Sequence, residues 1–120
     1  MTAIANPTPA PELPWVVYVD DNFHCMDESH LRLHGRFATL EEAVAACVTI
    51  TEDSVADCMN EDGTCGYRMF GEDPWVQPRP EREELDEALA KHPEWPAAAF
   101  ASGRFSAWTF AELLIATRTN

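Results

Sequence analysis

The sequence predicts an α+β domain: a two- or three-stranded antiparallel sheet packed by a long helix and a C-terminal helix. Three observations carry that expectation. Two segments with strand character, residues 15–20 and 31–37, follow one another; a capping box at Thr39–Glu42 opens a long helical periodicity; and a hydrophobic staple, Phe105 with Phe110, opens another near the end of the chain.

Residues 15–20, WVVYVD, are Val- and aromatic-rich without turn residues. Trp15, Val17 and Val19 fall on one face, Val16 and Tyr18 on the other, so both faces are apolar, as in a strand covered on both sides or central in its sheet. Residues 31–37 alternate: Leu31, Leu33 and Phe37 face one way, and Arg32, His34 and Arg36 the other. The two strands are expected to pair as an antiparallel hairpin. Its connection, residues 21–30, is ten residues long, whereas most hairpin loops take ~2–5.

Thr39 can accept a backbone hydrogen bond while Glu42 reaches back, which starts a helix. Val44, Cys47, Val48, Val55, Cys58 and Met59 continue it to about residue 60, with a break expected near 51–53 and a stop at Gly63. Its apolar stripe should cover the Leu31/Leu33/Phe37 face. Residues 65–70 read as a third strand, 71–74 as a Gly-Glu-Asp-Pro turn, and Trp75–Val76 as brief extended chain. Residues 81–91 form a short helix with acids in the first turn and Lys91 in the last. An Ala-rich connector, 93–104, leads to the last helix, capped by Ser106 and apolar on nearly every side, hence expected to be well buried.

Four segments, VYVDDNFH (17–24), GRFATLEEAVAAC (35–47), FGEDPW (70–75) and FSAWTFAELL (105–114), together resemble a family of small uncharacterised bacterial proteins. The resemblance runs from Trp15 to Leu114 and includes the Met26-Asp27-Glu28 turn. It implies kinship, with no activity attached. It also implies that Cys25 is not a shared ligand.

At 120 residues a single domain is expected, over 15–118, behind a Pro-rich leader, 1–14. The leader lacks the basic start and apolar run of a signal peptide, and no apolar stretch reaches membrane-spanning length, so the expected location is the cytoplasm. Twenty-one acids against eight bases give a net charge of −13, which repels nucleic acid and anionic membranes, serves chiefly solubility and only secondarily favours basic partners or cations.

The motifs exclude more than they assign. His30 and His34 have helical zinc spacing but lie on a strand, where residues four apart stand ~13 Å apart. Read as an EF-hand from Asp20, the loop puts Cys25 where Gly is needed and Leu31 where Glu is needed. No nucleophile elbow or phosphate-binding glycine loop is present. No cofactor is implied. Two binding features are left. One is the stripe Arg32/His34/Arg36 beside Tyr18, suited to a protein partner with an acidic peptide, to a small anion or to a second copy of the chain. The other is the acidic segment with Asp20, Asp21, Asn22, His24, Asp27 and Glu28. The expected function is a non-enzymatic binding or regulatory module. The alternative is a Ca/Mg/Zn-binding enzyme or sensor using residues 20–28 with Glu72 and Asp73.

Overall fold

A computed structural model describes residues 13–21, 32–67 and 71–119, with residues 21, 118 and 119 described by their backbone alone. Elements run β1 (Trp15–Asp21), β2 (Arg32–Phe37), α1 (Leu40–Cys58), β3 (Glu72–Gln77), α2 (Arg82–Lys91), a short 3-10 helix (Ala97–Phe100) and α3 (Ala107–Thr119). This is the expected α+β class. The strands form one antiparallel sheet in the order β2-β1-β3.

The capping box forms: Thr39 Oγ1 accepts the Glu42 N–H at 3.1 Å, and Glu42 Oε1 accepts the Thr39 N–H at 3.3 Å. A cap of this kind is worth about 1 kcal/mol. The break expected near 51–53 does not occur. Thr51 is fully buried and donates its hydroxyl to the Cys47 carbonyl at 2.9 Å, so its polar group is satisfied inside a continuous helix. At the other end, Ser106 Oγ accepts the Thr109 N–H, and the Phe105 and Phe110 rings meet edge-on at 5.7 Å, as the staple pattern anticipates. The last helix is less buried than expected, because Trp108 and Leu113 stand more than a third exposed.

Trp15, Val17 and Val19 of β1 and Val76 of β3 face the helices. Over them lie Leu40, Val44, Cys47 and Val48 of α1, Leu85 and Ala88 of α2, and the aromatic run Trp95, Phe100, Phe105 and Phe110. Burying a Val, Leu or Phe side chain contributes about 1.5–3 kcal/mol, so this cluster dominates the fold. The connector 93–104 is therefore structural: it carries Trp95, Ala99 and Phe100 into the core.

The structure departs from the expected sheet in two places. The third strand of the described sheet is Glu72–Gln77, where a turn and a brief extended stretch are expected. Cys65 makes only an isolated bridge to Met59, and 68–70 lie outside the described residues. Gly-Glu-Asp-Pro looks like a turn, but β3 is an outer strand, where a proline without an N–H costs no ladder bond. Pairing with β1 then overrides the local preference.

The second departure lies in β2. Phe37, Arg36 and Gly35 pair with Trp15, Val16 and Val17, but Tyr18 pairs with Leu33 and Val19 with Arg32, leaving His34 as an extra residue in a bulge. The bulge inverts the alternation beyond it. Leu33, expected in the core, is 50% exposed on the outer face.

His92, at the end of α2, fastens the two helices. Its ring stacks on Trp95 at 3.9 Å, its Nδ1 meets Glu94 at 2.9 Å, and its Nε2 meets Glu41 of α1 at 2.5 Å, with Lys91 also 4.0 Å from Glu41. The Glu94 and Glu41 carboxylates hold the imidazole protonated above its ordinary range. A group whose pKa is raised on folding adds stability that is complete in acid and lost as pH rises through the folded value. Melting temperature is therefore expected to fall from pH 6 to 8 in the wild type. His92→Phe, which keeps a ring on Trp95, should flatten that slope.

Candidate functional site

The outer face of the sheet can be read rung by rung from the register. On the first rung, Val16 lies between Arg36 and Gln77. On the second, Tyr18 lies between Leu33 and Trp75. On the third, Asp20 lies opposite Asp73. Successive rungs on one face are ~6.8 Å apart, so cation, aromatic pair and carboxylate pair follow one another along β1.

The middle rung is the most specific. Tyr18 and Trp75 stack with centroids 5.9 Å apart and planes inclined by 29°. Both rings are half-buried, and Leu33 beside them is half exposed, so the described residues leave an apolar, aromatic patch partly uncovered. Arg36 is exposed at one end of the patch and pairs with no carboxylate among the described residues.

At the other end, Asp20 and Asp73 are direct cross-strand neighbours, an arrangement that repels. Burial, and then the Asp20 charge, push the Asp73 carboxyl up to about 6, against which the Trp108 indole offers one hydrogen bond. Glu72, next along β3, belongs to the opposite face: its carboxylate accepts from Arg32 at 2.6 Å, and its N–H donates to Ser54 Oγ at 2.7 Å.

The stripe Arg32/His34/Arg36 is therefore not one surface. Arg36 stays on the outer face with Val16 and Tyr18. The bulge moves Arg32 to the helix side, paired with Glu72, and leaves His34 stacked 6.5 Å from the Phe37 ring. Asn22, His24, Asp27 and Glu28, with Cys25 and His30, lie outside the described residues. Among the described residues, no three His, Cys, Asp or Glu side chains are grouped to hold a metal ion, so Asp20 with Glu72 and Asp73 does not make a metal centre by itself. No described helix is long and apolar enough to cross a membrane.

Of the aromatic pair and Asp73, the sequence singles out Tyr18, and Asp73 only as a candidate cation ligand; Trp75 and the Asp20–Asp73 pairing are missed because residues 71–74 read as a turn. A signal was available: in EDPWVQ, Asp73 and Trp75 stand two apart, as Tyr18 and Asp20 do in β1. In comparisons with known proteins, the chain matches no family model, no curated protein and no solved structure.

Proposed function

We propose that the protein is a non-enzymatic binding module that docks a basic, apolar segment of a protein partner on the outer face of its sheet. The observation that carries this is the stacked Tyr18–Trp75 pair flanked on the same face by Asp20 and Asp73. A lysine or arginine side chain laid there meets a π face along its length and a carboxylate pair at its head. It also relieves the repulsion between the two acids. Leu33 and Val16 supply the apolar contact that gives such a surface its area. The net charge of −13 draws basic partners in from a distance, although salt screens that pull beyond ~10 Å.

The test uses a short labelled peptide of alternating Leu and Arg, with the Leu/Glu peptide as control, by fluorescence anisotropy at physiological salt. Binding is expected for the first peptide only. Trp75→Ala and Asp20→Asn should each weaken it about tenfold, whereas Glu83→Gln on α2 removes an equal charge from another surface and should change it little. Equal weakening by Asp20→Asn and Glu83→Gln would mean that only bulk charge is read, and the proposal fails.

A further inference from the structure

Between α1 and β3 the chain makes a small hairpin. Met59 and Cys65 face each other in an antiparallel bridge. On either side, the Asn60 N–H donates to the Thr64 carbonyl at 2.7 Å and the Gly66 N–H to the Cys58 carbonyl at 2.9 Å. The tip is locked by Asp62, whose carboxylate accepts both the N–H and the hydroxyl of Thr64, at 3.0 and 2.6 Å.

This register sets Cys58, the last residue of α1, diagonally across from Cys65. Facing Cα atoms in such a pair are ~4.5–5.5 Å apart and one step along a strand is ~3.4 Å, so the two Cα atoms lie about 6 Å apart. A disulfide spans roughly 4.4–6.8 Å between Cα atoms. In a regular pleat the two side chains would point apart, but Cys58 has helical backbone, and both cysteines pack on the same buried trio, Val55, Tyr67 and Ala111. Cys65 Sγ also sits 3.6 Å from the Val55 carbonyl, in the helical turn that carries Cys58.

We propose that Cys58 and Cys65 are a redox pair that closes to a reversible disulfide when the protein meets a peroxide. Both are thiols here. Cys65 reacts first, because it lines an open hollow of about 320 Å³ with Glu112, Ile115 and Ala116. Its thiolate attacks one peroxide oxygen: an S–O bond forms, the O–O bond breaks, and the departing oxygen leaves as water with the proton the thiol released. The Cys58 thiolate then attacks the Cys65 sulfenic sulfur: the S–S bond forms, the S–O bond breaks, and hydroxide leaves as water with the proton from Cys58. Two thiols and one hydrogen peroxide thus become one disulfide and two waters, with two electrons passing from sulfur to peroxide. A dithiol reductant reverses the bond. Cys47 does not compete: it is fully buried, and burial followed by the Asp73 charge drives its thiol far above the ordinary range.

The experiment treats the full chain with hydrogen peroxide, unfolds it and blocks thiols with iodoacetamide. Of the four cysteines, four are alkylated before oxidation, and two are expected afterwards. Cleavage between Glu61 and Asp62 should leave fragments joined through Cys58 and Cys65 until dithiothreitol is added. Cys58→Ser should leave Cys65 as a sulfenic acid that dimedone traps. Four alkylated cysteines after oxidation, or a bond from either residue to Cys25, would overturn the pairing.

Discussion

Gly71→Ala is expected to destabilise the fold by about 3 kcal/mol or more, read as a fall in the urea midpoint with unchanged slope. A Cβ built at Gly71 would lie 2.2 Å from Tyr67 Cδ1 and 2.6 Å from its Cε1, distances that no relaxed structure contains. The ring has little room to yield. Tyr67 is 1% exposed, its hydroxyl donates to the Glu72 carbonyl at 2.7 Å, and its face meets Trp108 edge-on at 6.0 Å. The Gly71 N–H in turn donates to the Tyr67 carbonyl at 2.8 Å, so the backbone cannot simply step back. Tyr67→Ala should be costly alone, because it empties the Val55/Ala111 cluster. Combined with Gly71→Ala it should cost less than the sum of the two, since the clash disappears with the ring. Strict additivity, or a loss under ~0.5 kcal/mol for Gly71→Ala, would contradict this account.

Asp73→Asn should act in the opposite direction and stabilise the protein at neutral pH. The Asp73 carboxyl sits at about 6, against 3.8 for the ordinary side chain, through burial first and the Asp20 charge second. Between those values the folded chain holds a proton that the unfolded chain has released, so wild-type stability falls as pH rises through the window and stays lower above it. Asparagine carries no charge to bury and can still accept from the Trp108 indole. The gain above pH 6 should be about 2 kcal/mol, after allowance for partial exposure. Melting curves of the two proteins should converge below about pH 4 and separate through pH 6. Curves that keep a constant offset across that range would show that Asp73 is not strained. A basic side chain bound beside Asp20 and Asp73 relieves the same repulsion, so the Leu/Arg peptide should stabilise the wild type more than Asp73→Asn.

Local chemistry was legible wherever neighbours in the chain decide it. The Thr39/Glu42 box and the Phe105/Ser106/Phe110 start each involve residues within five positions, and both form as read. The inward set Trp15, Val17 and Val19 follows from period two and is buried throughout. What was not legible depends on pairing at long range. Nothing in RLHGRF states that His34 will bulge, although a glycine inside a strand pattern, Gly35, is the usual marker of one. Glu72, Asp73 and Pro74 look like turn residues until β1 supplies a partner some fifty positions away, roughly the separation of Asp20 from Asp73. The outer face joins β1, β2 and β3, so its composition could be written down only once the register was known.

The same bulge and the same proline bear on what happens when many copies of this chain are crowded together. β2 and β3 are the outer strands of the sheet, and an outer strand offers a row of backbone groups onto which another chain can add. Along β2 that row is interrupted at His34 and flanked by Arg32 and Arg36; along β3 it lacks a donor at Pro74. Neither edge templates a regular added strand. Both edges of the described sheet therefore disfavour strand-by-strand addition, and the aromatic patch lies between two edges that do not invite it.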